Sequence, residues 1–201
     1  MKVIILGGFS GAGKTTLLLR LTEYLENFKG KQDHAVVAVI ENEIGTADID
    51  AKRLADRGIP VESLLADRGP SKELADWARR MRQRVNPDWL VVEAAGLGIP
   101  WKIKESLREQ SGLDILIWVV VDAGRWLILN DSLSRLAVEQ LNGADVVLVN
   151  KCDLVSQDLR RRVEISVNSK TEGAVMISVS AAKAIKSSVW KQLLNKDVRN
   201  G

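Results

Sequence analysis

Cysteine and histidine are almost missing from this chain: Cys152 and His34 stand alone among 201 residues. A single thiol excludes an internal disulfide framework, and one imidazole leaves almost no soft ligands for a transition metal. Long hydrophobic runs are missing too. The longest unbroken apolar stretch, Ile115 to Val121, is seven residues, against roughly 20 for a membrane-spanning helix. The opening MKVIILGG runs into further glycines and a lysine without a small-residue cleavage site, so it reads as a strand. The expected compartment is the cytoplasm, with no membrane partner. Charge of one sign is also lacking: 29 Lys and Arg face 26 Asp and Glu, a formal +3. The basic clusters Arg79-Arg80 and Arg160-Arg161-Arg162 read as solvated helix faces, and no nucleic-acid partner is expected. Phe and Tyr are scarce, two and one, while Trp numbers six. With no stacking motif around them, Trp77, Trp89, Trp101, Trp118, Trp126 and Trp190 read as core or interface filler.

What is present is an alternation. Short runs rich in Val and Ile recur with amphipathic stretches between them, the pattern of a parallel sheet covered by helices. The length predicts a single domain over residues 1–201. Strands are expected at Val3 to Leu6, Ala35 to Ile40, Trp89 to Val92, Ile115 to Val121, Val146 to Val149 and Ala174 to Ser178. Most are apolar on both faces, as central strands of a covered sheet must be. Helices are expected at Lys14 to Asn27, Ser71 to Val85, Lys102 to Gln110, Ser132 to Leu141, Ser156 to Val167 and Ser187 to Asn195. The class is therefore α/β, a three-layer fold with a mostly parallel sheet and helices on both faces. Glu41 to Pro70 is polar, broken by Gly45, Gly58, Pro60 and Gly69, and too long for an ordinary connection. It is expected to carry function or a small extra element.

Directly after the first expected strand, Gly8-Phe9-Ser10-Gly11-Ala12-Gly13-Lys14-Thr15 matches GxxxxGK[ST] in the strand, loop, helix context that the phosphate loop requires. Gly8, Gly11, Ala12 and Gly13 would turn backbone N–H groups toward phosphate oxygens, and the following helix points its positive end at the same anion. Lys14 is expected to reach the β and γ phosphates and Thr15 to bind Mg²⁺. The loop specifies a nucleoside triphosphate without choosing the base.

The base is addressed by Asn150-Lys151-Cys152-Asp153, placed after the strand Val146 to Val149, where an open α/β sheet presents ligands. The Asp153 carboxylate can accept from guanine N1 and its 2-amino group together. Adenine cannot satisfy that pair. Lys151 would lie along the base, and Asn150 would tie this loop to the phosphate loop. Ser180 and Ala181, in Ser180-Ala181-Ala182-Lys183, either offer a backbone N–H to the guanine O6 or form a plain strand-to-helix turn. Between these motifs, Leu90 to Gly96 is an apolar strand ending in Glu93. Glu93 would hold the Mg²⁺ shell through water, and Gly96 would donate its N–H to a γ-phosphate. Leu97 cannot position an attacking water, so unaided hydrolysis is expected to be slow. Glu41-Asn42-Glu43-Ile44-Gly45, with Asp48 and Asp50, either completes the Mg²⁺ site and orients water or is a solvated acidic loop.

Taken in order, GGFSGAGKTT, IENEIGTADID, VVEAAGLG, VVVDAG and ADVVLVNKCDL resemble the nucleotide-binding domain of the CobW-like P-loop GTPases, relatives of the hydrogenase- and urease-maturation GTPases. The resemblance covers nearly the whole chain. It implies a P-loop NTPase fold, GTP/GDP and Mg²⁺ as cofactors, and GTP hydrolysis coupled to metal or corrinoid insertion into a client metalloprotein or corrinoid protein. By position it implies phosphate binding by Gly11, Gly13, Lys14, Thr15 and Thr16, Mg²⁺-side roles for Glu43 and Glu93, and guanine binding by Asn150 and Asp153. Relatives often pair when nucleotide-bound, which implies a nucleotide-dependent homodimer. Two departures stand out. The CxCC metal motif of such proteins has no counterpart in Val61 to Ser71, VESLLADRGPS, so weak transition-metal binding at best is expected there. The C-terminal domain of longer relatives is also missing from the sequence. The alternatives are a non-catalytic GTP-dependent switch, an altered relative that has lost metal binding, and a small-molecule kinase of the same broad fold.

Overall fold

The computed structural model describes residues 1–27, 36–41, 48–63, 72–108 and 112–194. Seven strands form one sheet: β1 (Lys2–Gly7), β2 (Val37–Glu41), β3 (Val61–Ser63), β4 (Trp89–Glu93), β5 (Asp114–Asp122), β6 (Val146–Asn150) and β7 (Val175–Ser178). Their order is β3-β2-β4-β1-β5-β6-β7, and every pairing is parallel. Because all strands run one way, their carboxyl ends share one edge of the sheet. The chain builds outward from β1 on one side and then, after β4, crosses over β1 to start β5. That reversal opens a crevice at the end of β1, where open α/β sheets bind ligands.

Strands β1, β2, β4, β5 and β6 are largely buried on both faces, while β7 is half-buried and β3 exposes Glu62, and alternate residues of the sheet feed two cores. Val3 and Ile5 join Trp77, Val92, Ile103, Val119, Trp126, Leu141 and Val163. Ile4 and Leu6 join Leu17, Leu21, Leu54, Val91, Val120, Trp190 and Leu193 on the opposite face. The first core is roofed by α3 (Lys72–Arg84), α4 (Pro100–Arg108), α6 (Ser134–Leu141), α7 (Gln157–Asn168) and Trp126 of α5 (Trp126–Ser132); the second by α1 (Lys14–Glu26), α2 (Asp48–Asp56) and α8 (Ser187–Leu194). This is the expected three-layer architecture. Five of the six tryptophans are buried and Trp101 is half-buried, so the reading as filler holds. Trp126 also donates its Nε1–H to Ser166 Oγ at 3.0 Å, satisfying the polar end that a buried indole carries.

The stretch from Glu41 to Pro70 holds the expected small extra element, α2 with β3 after it at the sheet edge; neither was among the expected helices and strands, and three residues of strand are too few to show a period in sequence. The expected helix Ser132 to Leu141 is α6, starting at Ser134; the helix before it, α5, was not expected, and Leu133 separates the two at φ −131°, ψ 41°. The expected ends Ala35, Ser71, Gln110 and Asn195 lie outside the described residues. Among the described residues, no helix is long and apolar enough to cross a membrane.

Candidate functional site

Gly8 to Gly13 bridge β1 and α1 at the crevice. Side chains from elsewhere fix the loop's backbone carbonyls one after another. Lys14 Nζ reaches Phe9 O at 3.5 Å, Arg125 Nη1 reaches Ser10 O at 3.2 Å, Lys151 Nζ reaches Gly11 O at 2.6 Å and Asn150 Nδ2 reaches Ala12 O at 2.9 Å. In a planar trans peptide the following N–H points the opposite way. Drawing the Ser10, Gly11 and Ala12 carbonyls toward Arg125, Lys151 and Asn150 therefore turns the Gly11 and Gly13 N–H groups the opposite way, while the Ala12 N–H closes a tight turn on Phe9 O at 3.1 Å. Gly13 sits at φ 98° with no side-chain cap, and the first bond of the helix is Leu17 N–H to Gly13 O at 3.0 Å. The amides of Lys14, Thr15 and Thr16 precede that bond and are the unsatisfied donors of a helix N-terminus, poised for an anion. A β-carbon at residue 13 would stand 2.4 Å from Asn150 Nδ2, so only glycine fits. By contrast α7 is closed by its own cap, the Ser156 hydroxyl accepting from Leu159 N–H at 3.2 Å.

Lys14 is 4% exposed, and its ammonium has one long hydrogen bond among the described residues. A buried cation held so weakly is costly unless an anion joins it. The cradle and this ammonium fit a polyphosphate.

On the β4 side, the Thr15 hydroxyl donates to Glu93 Oε1 at 3.0 Å, and Glu93 is 2% exposed. Two hard oxygen groups this close suit the shell of a Mg²⁺ ion, which keeps several waters and takes few protein ligands. Among the described residues, no group of three or more His, Cys, Asp or Glu comes together. Gly96 presses on the phosphate loop: a β-carbon there would lie 2.7 Å from Ser10 N. Leu97 is 71% exposed. Glu43 lies outside the described residues, and Asp48 and Asp50 begin α2.

On the β6 side, Asn150 is buried and bridges two loops, donating to Ala12 O and accepting from Ala181 N–H at 2.8 Å. The expected tie to the phosphate loop is present. The Ala181 amide is occupied by that bond, so it serves Asn150 in this arrangement. Lys151 adopts a left-handed backbone at φ 61°, which costs a non-glycine residue about 1–3 kcal/mol and is tolerated at sites where geometry matters. Its ammonium is anchored by Gly11 O and by Asp122 Oδ2 at 2.8 Å. Asp153 is the middle residue of a single 3-10 turn over Cys152–Leu154, its N–H bonded to Ser180 Oγ at 3.2 Å. Hydrogen bonding from Ser180, then from Lys183, holds the Asp153 carboxyl below its usual range. Lys183 Nζ lies 3.2 Å from Asp153 Oδ2. Burial pushes the Cys152 thiol up, and Sγ donates to Val149 O at 3.1 Å.

Three residues were not singled out from sequence. Asp122 ends β5 in register with Asn150, the strand-end position already used by Glu93 and Asn150, so that signal was available. Arg125 and Gln140 carry no local signal, because each acts on a loop more than a hundred residues away.

Residues 2–178 match the family model described as CobW/HypB/UreG, nucleotide-binding domain. The chain belongs to that family. Among CobW/HypB/UreG relatives, a zinc-regulated GTPase metalloprotein activator 1 from Schizosaccharomyces pombe is 30% identical over 183 residues, covering 78% of this chain and 40% of that protein. The zinc chaperone YjiA of Escherichia coli is 29% identical over 171 residues, covering 77% of this chain and 50% of that protein. The chain thus spans about half the length of the curated relatives it matches, 40% to 56% of them. In fold it is similar to the hydrogenase maturation factor HypB of Archaeoglobus fulgidus, with a TM-score of 0.69 at 17% identity, covering 98% of this chain and 90% of that one.

Proposed function

We propose that this chain, as one P-loop domain, binds GTP and GDP with Mg²⁺ and hydrolyses GTP slowly, as a cytoplasmic accessory to metal delivery. Asn150 carries this reading: one buried side chain bonds both the phosphate loop and the loop after β7, and Asp153, three residues on, is bonded to Ser180 of that second loop. Asp153 stays ionised, and its partner Lys183 is exposed, so a purine edge with two N–H donors can displace the ammonium. Guanine has those donors and adenine does not. Lys14 and the amides of the cradle would hold the phosphates; Thr15 and Glu93 would hold the Mg²⁺. The bound metal would neutralise charge that develops on the transferred phosphoryl group.

The relatives' names support zinc, ahead of a corrinoid, as the class of cargo, with a metalloprotein as client. Leu97 favours a rate set by a partner: it is apolar and exposed beside Gly96, where a water-orienting group would have to stand. Competition of GTP and ATP against a fluorescent GDP in Mg²⁺ buffer tests the reading. GTP is expected to displace it at concentrations at least about a hundredfold lower than ATP, since a site built around guanine's donors leaves its carboxylate unpaired against adenine. Equal displacement, or preference for ATP, would return the chain to the kinase class.

A further inference from the structure

We propose that Gln140 is a positioning residue that couples the phosphate loop to the Gly96–Gly98 segment, so that the two respond to a γ-phosphate as one body. This rests on the GTPase reading above. Gln140 lies on α6 and is 1% exposed. Its carboxamide spans both segments: Oε1 accepts from Gly8 N–H at 3.0 Å, and Nε2 donates to Gly98 O at 2.6 Å, with Gly96 O further off at 3.5 Å. The group is oriented from both ends. Gly8 supplies a donor and Gly98 an acceptor, so only a side chain that is acceptor and donor at once satisfies both.

The adjacent residue extends the link. Glu139 Oε2 accepts from Trp101 Nε1–H at 2.9 Å, and Trp101 is the second residue of α4, which begins at Pro100, two residues after Gly98. Helix α6 therefore grips the segment and the helix that follows it. Gly96 already lies against Ser10, so a displacement of Gly96 to Gly98 must either carry the loop with it or break a hydrogen bond of the buried Gln140 carboxamide. Breaking it leaves Gly8 N–H or Gly98 C=O without a partner, which the buried setting penalises. Gln140 touches no phosphate position itself; it sets where the groups that do so stand.

The test compares a non-hydrolysable GTP analogue with GDP, each titrated in Mg²⁺ buffer against wild type and Gln140→Met. Tryptophan fluorescence is recorded alongside, with Trp101→Phe assigning the Trp101 component. Gln140→Met is expected to reduce the ratio of GTP-analogue to GDP affinity about tenfold, within the usual range of site-to-site coupling, and to abolish the Trp101 response to the analogue. A merely structural role would weaken both nucleotides alike and leave the ratio and the Trp101 response intact, which would overturn the proposal. Should Gln140→Met fail to fold, hydrogen exchange of the wild-type chain decides. Analogue and GDP states are expected to differ over residues 96–101 and also over 137–142, whereas a difference confined to 96–101 would refute the coupling. A wild type that binds neither guanine nucleotide removes the GTPase reading and this proposal with it, a result distinct from an unchanged ratio.

Discussion

Asn150 and Lys151, on the side of the crevice proposed for the base, close on backbone carbonyls 138 and 140 residues away, and Asn150 and Asp122 fasten the far ends of that network. On the side proposed for Mg²⁺, Thr15 donates its hydroxyl to the Glu93 carboxylate at the end of β4. The first side is built from an amide whose partners are backbone atoms and an ammonium held by a backbone carbonyl and the Asp122 carboxylate, so its groups already satisfy one another. The second is built from two groups that are themselves ligands for a cation. Their mutual bond is one that a metal ion can replace without unfolding anything. The side proposed for the base is thus part of the fold's stability, and the side proposed for Mg²⁺ is the one a cation would rearrange.

The largest effect that separates the two sides is expected from Asn150→Ala. It leaves Ala12 C=O and Ala181 N–H buried without partners, at about 1–3 kcal/mol each. Urea denaturation should show a loss of several kcal/mol, and titration a fall of about a hundredfold or more in affinity for GTP and GDP alike. Stability within about 0.5 kcal/mol of wild type would mean the base side is not preorganised and the comparison fails.

Glu93→Gln sharpens the other half. The glutamine carbonyl can still accept from Thr15, so the fold and the affinity for GDP without Mg²⁺ should hardly change. Mg²⁺-stimulated GTP hydrolysis should fall about 10- to 100-fold, as when a partner of a bound metal is altered. A variant that loses stability but keeps its Mg²⁺ response would invert the assignment.

The same contrast explains how much was legible in the sequence. Gly8 to Thr15 and Asn150 to Asp153 could be read because the chemistry needs fixed residue types at fixed local spacing, directly after apolar strands. The doubly apolar strands β1, β4, β5 and β6 were equally plain, since burial on both faces leaves a continuous Val- and Ile-rich run. β3 and α5 were not. A three-residue strand has no period, and α5 is a seven-residue helix whose buried residue is Trp126, too short to repeat an apolar spacing. Gln140 and Arg125 escaped because their meaning lies in tertiary distance: Gln140 reads as one polar position on an amphipathic helix until Gly8 and Gly98 are placed on either side of it. Glu43, the remaining Mg²⁺-side expectation, lies outside the described residues.

The smallest expected effect concerns Asp153 and follows from the sign of its shift. Bonding from Ser180 and Lys183 lowers its folded pKa, while the unfolded chain returns it to about 3.9. Between those values the unfolded state binds more protons, so the contribution to stability is present above the unfolded value and lost as pH falls through the folded one. Asp153 is exposed, and water screens the interaction, which keeps the contribution small. Thermal unfolding of wild type and Asp153→Asn should therefore differ by a small, constant amount from about pH 8 down to about pH 5, the gap closing only in more acid solution. A gap that closes near pH 6 would mean that the carboxylate is not held ionised by Ser180 and Lys183. The base side would then lose the fixed negative charge on which the proposed discrimination against adenine depends.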